Sequence, residues 1–135
     1  MGSEHDDQAA YIEWLKLTRL WDRYPIFGVP NGVPLAGSKM QRVRIINYMK
    51  AEGLRPGVSD IIFMVPRGGY HGMIMENKRS DGGAGLSKDQ SEFFKLCEAQ
   101  GYFTTSPNGL DEMMAITEEY LSWDCDKIST SQSTK

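Results

Sequence analysis

Apolar residues recur along the start of the chain at helical spacing. Ala9, Ile12, Leu15 (or Lys16) and Leu20 lie near one stripe, widened by Trp14 and Leu17, which predicts a first helix from about His5 to Trp21. The proline-punctuated stretch from Tyr24 to Pro34 encloses a short apolar core, Ile26 to Val29, that suits a brief strand. Ser38 followed by Gln41 matches a capping box, and Gly53 stands where a left-handed residue ends a helix, so a second helix is expected between them. Val58 to Val65 is strongly apolar, Tyr70 to Lys78 is a second strand-like run, and Pro66-Arg-Gly-Gly69 between them reads as a hairpin turn. After a glycine-rich loop, Ser80 to Gly85, another capping box (Ser87 and Gln90) opens a third helix that closes at Gly101. A short strand, Tyr102 to Thr105, a turn, Ser106 to Gly109, and a last helix from about Leu110 to Trp123 complete the pattern. The order α-β-α-β-β-α-β-α predicts an α/β or α+β domain on a small mixed sheet.

Composition narrows the class. At 135 residues, with 24% charged side chains, one ordered domain over 1–123 is expected, followed by a polar tail over 124–135 that reads as disordered. No apolar run approaches a membrane span, and the first residues lack the pattern of a signal peptide. The expectation is a soluble, cytoplasmic protein. Two cysteines, Cys97 and Cys125, are too few for a disulfide framework and have no zinc spacing with the two histidines. The net charge of −3 hides an asymmetry: Lys39 to Arg79 carries eight basic and three acidic residues, a local +5 on an otherwise acidic chain. Such a patch fits a polyanionic partner or, more plainly, a solvated helix face with loop charges.

The central hairpin carries the candidate chemistry. A three-residue loop, Arg67-Gly68-Gly69, sets Val65 opposite His71 and Asp60 opposite Glu76, and strand alternation puts Lys78 on the face of Glu76. Facing carboxylates repel unless one holds a proton or a cation lies between them, and oxygen ligands of this kind suit Mg²⁺ or Mn²⁺. The same triple is also readable as a surface cluster of Asp, Glu and Lys. A two-residue loop would shift the register by one and part the two acids.

Gly57-Val-Ser-Asp60, Gly72-Met-Ile-Met-Glu76-Asn-Lys78 and Leu86-Ser-Lys-Asp-Gln90 together resemble the D…ExK…Q core of the PD-(D/E)xK nuclease superfamily. More narrowly they resemble its VRR-NUC (virus-type replication-repair nuclease) family, in the stand-alone form found in phages and prophages. Glu4-His-Asp-Asp-Gln8, Pro30-Asn-Gly32, Ala51 to Gly57, and Gly101-Tyr102 with the closing helix extend the likeness from Glu4 to about Leu121. Ser59, where the superfamily name has proline, is a departure.

The resemblance implies a restriction-endonuclease-like core and a metal-dependent DNA endonuclease. It implies Mg²⁺, with Mn²⁺ substituting, on Asp60, Glu76 and the Asn77 carbonyl, and Lys78 orienting or activating the attacking water. Gln90 would approach from its helix, and Glu4 would hold a metal-linked water or a second ion. Two plainer roles stay open: Gln90 as the partner of Ser87 in a cap, and Glu4 as a first-turn acid favoured by the helix dipole. The Asn77 side chain points to the opposite face and is unconstrained by the metal; His71 reads as a surface residue. Lys39, Arg42, Arg44, Arg55, Arg67 and Arg79 are candidate phosphate contacts. The resemblance also implies homodimers that resolve branched DNA (Holliday junctions); a flap or nicking nuclease and a non-catalytic nucleic-acid-binding module are the alternatives. Trp14, Trp21, Phe27, Phe63, Phe93, Phe94, Phe103 and Trp123 must all find cover on so small a sheet, and some of them are expected at the dimer interface.

Overall fold

A computed structural model describes residues 3–30, 35–78 and 85–125. Along the chain it runs α1 (Glu4–Leu17), α2 (Leu20–Arg23), β1 (Ile26–Gly28), α3 (Lys39–Ala51), β2 (Ile61–Phe63), β3 (Met73–Met75), α4 (Lys88–Ala99), β4 (Phe103–Thr105) and α5 (Leu110–Leu121). This is the expected order with one helix added. The glycine-rich loop up to residue 84, Arg79, Asn31-Gly32 and the tail from residue 126 lie outside the described residues.

The addition has a local cause. Leu15 and Leu20 are five positions apart, about 140° around a regular helix, so an unbroken helix would not bring both to one core. Thr18 Oγ1 donates to the Trp14 carbonyl at 2.8 Å, and Arg19 adopts a left-handed φ of 67°, which ends α1 and restarts the chain as α2. Leu15 is then fully buried and Leu20 packs against the same core. Elsewhere the caps stand where the serines put them. Ser38 and Ser87 close reciprocal boxes with Gln41 and Gln90, and Ser3 does so with Asp6, a third box.

The four strands form one sheet in the order β1-β2-β3-β4, antiparallel except for the β3–β4 pair, and this mixed pattern puts β3 in the interior. Met73, Ile74 and Met75 are accordingly buried on both faces. The core joins Ile61, Phe63, Met73 and Met75 to Tyr11 and Leu15 of α1 and Met113 and Tyr120 of α5. Two buried phenols fix these helices: Tyr11 hydroxyl pairs with Thr117 Oγ1 at 2.7 Å, and Tyr120 hydroxyl donates to the Val65 carbonyl at 2.7 Å.

The hairpin keeps the expected register by a different route. Ile61, Ile62 and Phe63 pair with Met75, Ile74 and Met73, the ladder that aims Asp60 at Glu76. The turn, however, has two residues: Arg67 and Tyr70 exchange hydrogen bonds of 3.2 and 2.8 Å around Gly68 and Gly69, whose φ values are 58° and 88°. Positive φ at both positions is the type I′ geometry that suits glycine. Between this bridge and the Phe63–Met73 pair, Met64, Val65 and Pro66 stand against His71 and Gly72 alone. That one extra residue cancels the shift a two-residue turn would impose. Val65 therefore does not face His71 across a ladder pair.

The aromatics are largely covered within the chain. Phe63 and Phe94 are buried, Trp14 stacks on Tyr11, and Phe103 and Trp123 pack with Tyr70 and Tyr120. Trp21 and Phe27 stay open at 36% and 40% exposure. The larger uncovered apolar surface lies on α3, which has no buried residue and exposes Met40, Val43, Ile45 and Tyr48.

Candidate metal centre

Beyond the Ile61–Met75 pair the hairpin ends in charge. Asp60 leads into β2 with its carbonyl bonded to the Val29 N–H at 2.8 Å, and Glu76 leaves β3 with its N–H bonded to the Thr105 carbonyl at 2.9 Å. Both side chains line one cleft of about 640 Å³, with Glu4 and Gln90 beside them. Glu76 is only 4% exposed. Burial, then the Asp60 carboxylate facing it, then the charge of Glu4 push its carboxyl from the ordinary 4.5 up to about 8, with Lys78 opposing.

Gln90 performs both of the roles left open for it. Its Oε1 accepts from the Ser87 N–H and from Lys78 Nζ, each at 2.9 Å, while its Nε2 donates to Glu76 Oε2 at 3.0 Å. One amide thus caps α4 and joins Lys78 to Glu76. Asp60 is fixed from the other side, Oδ2 accepting from the Asn77 N–H at 2.8 Å. Glu76 Oε1 is buried and meets no protein donor among the described residues, so what answers it is either a proton shared with Asp60 or a cation.

The orphaned oxygen and the facing carboxylates test whether a cation fits. Two hard anionic oxygen donors at the base of an open cleft suit Mg²⁺, which binds through one or two carboxylates and keeps water or phosphate on its other positions. Among the described residues no three His, Cys, Asp or Glu side chains are arranged to hold a metal ion. The fit therefore rests on Asp60 and Glu76 with main-chain and water oxygens, and Glu4 stands at the cleft without completing a side-chain triad.

A glycine seats α4 against the site. Gly57 has a φ of +83°, and a Cβ there would come within 2.3 Å of the Asp89 carbonyl. The loop before β2 touches the first turn of α4 only because that Cβ is missing, and this contact sets Gln90 beside Glu76. Gly57→Ala should cost about 1–3 kcal/mol through strain and clash, read as a lower urea midpoint; an unchanged midpoint would mean that the loop yields without cost.

The remaining candidates divide by position. Arg55 lines the cleft, and Lys50, absent from the predicted site, joins it from α3, where Ile46 four residues earlier faces the same way. Lys39 and Arg42 share a groove on α3 with Lys50, and Arg44 is exposed on the same helix. Arg67 is elsewhere, at the opposite end of the hairpin. It donates to the carbonyls of Pro66 and Leu121 and to the Tyr24 hydroxyl, and so locks the turn to α5. Exposed His71 packs its ring on Tyr102 away from the acids, as a surface residue should. The Asn77 side chain, expected on the face opposite the acids and free of the metal, does not line the cleft; it is 1% exposed and donates to the Glu4 carbonyl at 2.9 Å.

No protein-family model matches the chain, and no curated protein matches it in sequence. Among solved structures, the fold is similar to that of a protein described as a VRR_NUC domain protein, with a TM-score of 0.70 and 24% sequence identity over 89% of this chain and 88% of that one. The likeness establishes a shared fold, the small mixed sheet flanked by helices that the motif blocks imply. No helix among the described residues is long and apolar enough to cross a membrane.

Proposed function

We propose that the protein is a VRR-NUC-type endonuclease that hydrolyses DNA phosphodiester bonds with Mg²⁺ and acts as a homodimer on branched DNA. The observation that carries the reading is the Asp60–Glu76–Gln90–Lys78 cluster, built at the ends of β2 and β3 and closed by the first turn of α4. In this reading Asp60, Glu76 and the Asn77 carbonyl hold the cation. The cation, when bound, offsets charge on the phosphate and makes its water a better nucleophile. Lys78 presents its ammonium to the phosphate or to the attacking water, and the amide of Gln90 holds that ammonium at a fixed distance from Glu76. Arg55 and Lys50 hold the flanking backbone in the cleft, while Lys39, Arg42 and Arg44 extend the contact along α3.

The dimer follows from two supports. A four-way junction cut on opposing strands needs two sites related by two-fold symmetry, and one domain of this kind has one cluster. Exposed apolar residues off α3, with Trp21 at 36% and Phe27 at 40% exposure, offer surface for a partner to cover.

Labelled four-way junction, flap and linear duplex, each incubated with Mg²⁺ or EDTA, test the whole reading. Cutting is expected with Mg²⁺ alone and fastest on the junction, with light scattering giving twice the chain mass. Binding without cutting under both conditions would favour a non-catalytic nucleic-acid-binding module. Equal cutting of linear duplex by a monomer would leave a nuclease with no preference for junctions.

A further inference from the structure

Asn77 lies between the two motif residues in sequence and faces away from their cleft. Its side chain crosses to α1, where Nδ2 donates to the main-chain carbonyl of Glu4 at 2.9 Å, and its own N–H holds Asp60 Oδ2 at 2.8 Å. One residue therefore touches both the candidate cation ligand on β2 and the first residue of α1. The arrangement is costly on its own: Asn77 is 1% exposed, and its Oδ1 is buried with no partner among the described residues. A leucine would fill the same space without stranding an acceptor. What the amide supplies that leucine cannot is the bond to Glu4.

That bond acts on a turn inclined to leave. Glu4, His5 and Asp6 are exposed, and the capping bonds between Ser3 and Asp6 stay within the turn itself. Helix ends of this kind fray, and a third carboxylate brought towards the pair is repelled by the Asp60 charge. We infer that Asn77 is a positioning residue, tethering the start of α1 to the end of β3 so that the Glu4 carboxylate stands at the cation cleft. The inference rests on reading Asp60 and Glu76 as cation ligands. With a cation present, Glu4 adds negative charge beside it, and Asn77 decides whether that charge is in place.

Mn²⁺ binding to the metal-free protein, followed by calorimetry, reads this directly. Glu4→Gln and Asn77→Leu should each weaken Mn²⁺ affinity about tenfold, the scale of a lost supporting contact. The double variant should be no weaker than either single one, because both remove the same contribution. Amide exchange at residues 4–8 should also quicken in Asn77→Leu and not in Glu4→Gln. Should the leucine variant fail to fold, Asn77→Ala, which removes the amide without adding bulk, takes its place in the same cycle. Unchanged Mn²⁺ affinity in a folded Asn77 variant, or additive losses in the double variant, would overturn the tether while leaving the metal centre standing. Wild-type protein that takes up no Mn²⁺ would overturn the metal reading and the tether together.

Discussion

Asp60→Ala and Glu76→Ala should each slow cleavage by on the order of 10³-fold or more, while DNA binding survives or tightens. Each substitution removes a proposed direct ligand, and neither carboxylate has a neighbour able to replace it. Glu4 and Asp89 also line the cleft, but Glu4 is held through its main chain to Asn77, and neither completes a triad with the pair among the described residues. Binding is spared because the candidate phosphate contacts, Arg55, Lys50, Lys39 and Arg42, are on other elements, and loss of a negative charge beside DNA lowers repulsion. Glu76→Gln is the sharper variant. It keeps the volume and cannot ionise, so the metal-free variant should be more stable than wild type above pH 4.5, where ionisation of Glu76 favours the unfolded chain, and equally unable to cut. That pairing of gained stability with lost activity is expected of a group kept for function against its cost to the fold. Near-wild-type cutting by Glu76→Ala or Glu76→Gln would sink the site assignment. Lys78→Ala should cut poorly yet keep its metal affinity, because Lys78 meets Glu76 through Gln90 and not as a ligand; lost affinity would contradict that role.

Most of this site was legible in the residues because its geometry is local. Strand periodicity and pairing across a short hairpin relate Asp60 to Glu76, and a capping box three residues long places Gln90 at the start of its helix. The turn shows how a right register can rest on a wrong detail. Gly68-Gly69 forms the two-residue turn, and an extra residue between Phe63 and Arg67 returns the pairing to the expected ladder. Bulges of this kind depend on what the strand packs against, and no pattern of apolar and polar positions announces them. What the residues do not announce is a partner distant in sequence. Arg67 looks like a phosphate contact until Leu121 and Tyr24 arrive beside it. Asn77 looks idle until α1 is laid across the sheet, and its bond to Glu4 spans 73 positions. The break at Thr18 and Arg19 left a trace in the five-residue step from Leu15 to Leu20, which a single regular helix cannot turn to one side.

Without metal, the protein should lose stability as pH rises from about 4.5 towards 8, and Mg²⁺ should restore most of that loss at the alkaline end. In the unfolded chain Glu76 ionises near its ordinary 4.5, whereas burial and the Asp60 carboxylate hold its proton in the fold up to about 8. Between those values the folded state binds more protons than the unfolded one, so the free energy of unfolding falls as pH rises. Stability from this group is fully present below 4.5 and lost by the time pH has passed through 8. The total amounts to several kcal/mol, enough to see against the marginal stability of a small domain. A divalent cation removes the reason for the proton: it supplies the positive charge that two facing carboxylates lack, and must displace the proton to bind wherever the pH lies below 8. Its stabilising effect should therefore be weak at pH 6 and strong at pH 8.5, gaining up to about tenfold in apparent affinity per pH unit across the interval. Urea unfolding at the two pH values, with EDTA or Mg²⁺, measures this without any cleavage assay. Glu76→Gln isolates the group, since other carboxylates titrate alike in both proteins; it should flatten the pH dependence and abolish most of the Mg²⁺ effect together. A wild type whose difference from Glu76→Gln is the same at both pH values would show that Glu76 is not held protonated by Asp60 and its burial, and the electrostatic case for a cation between the two acids would fall with it.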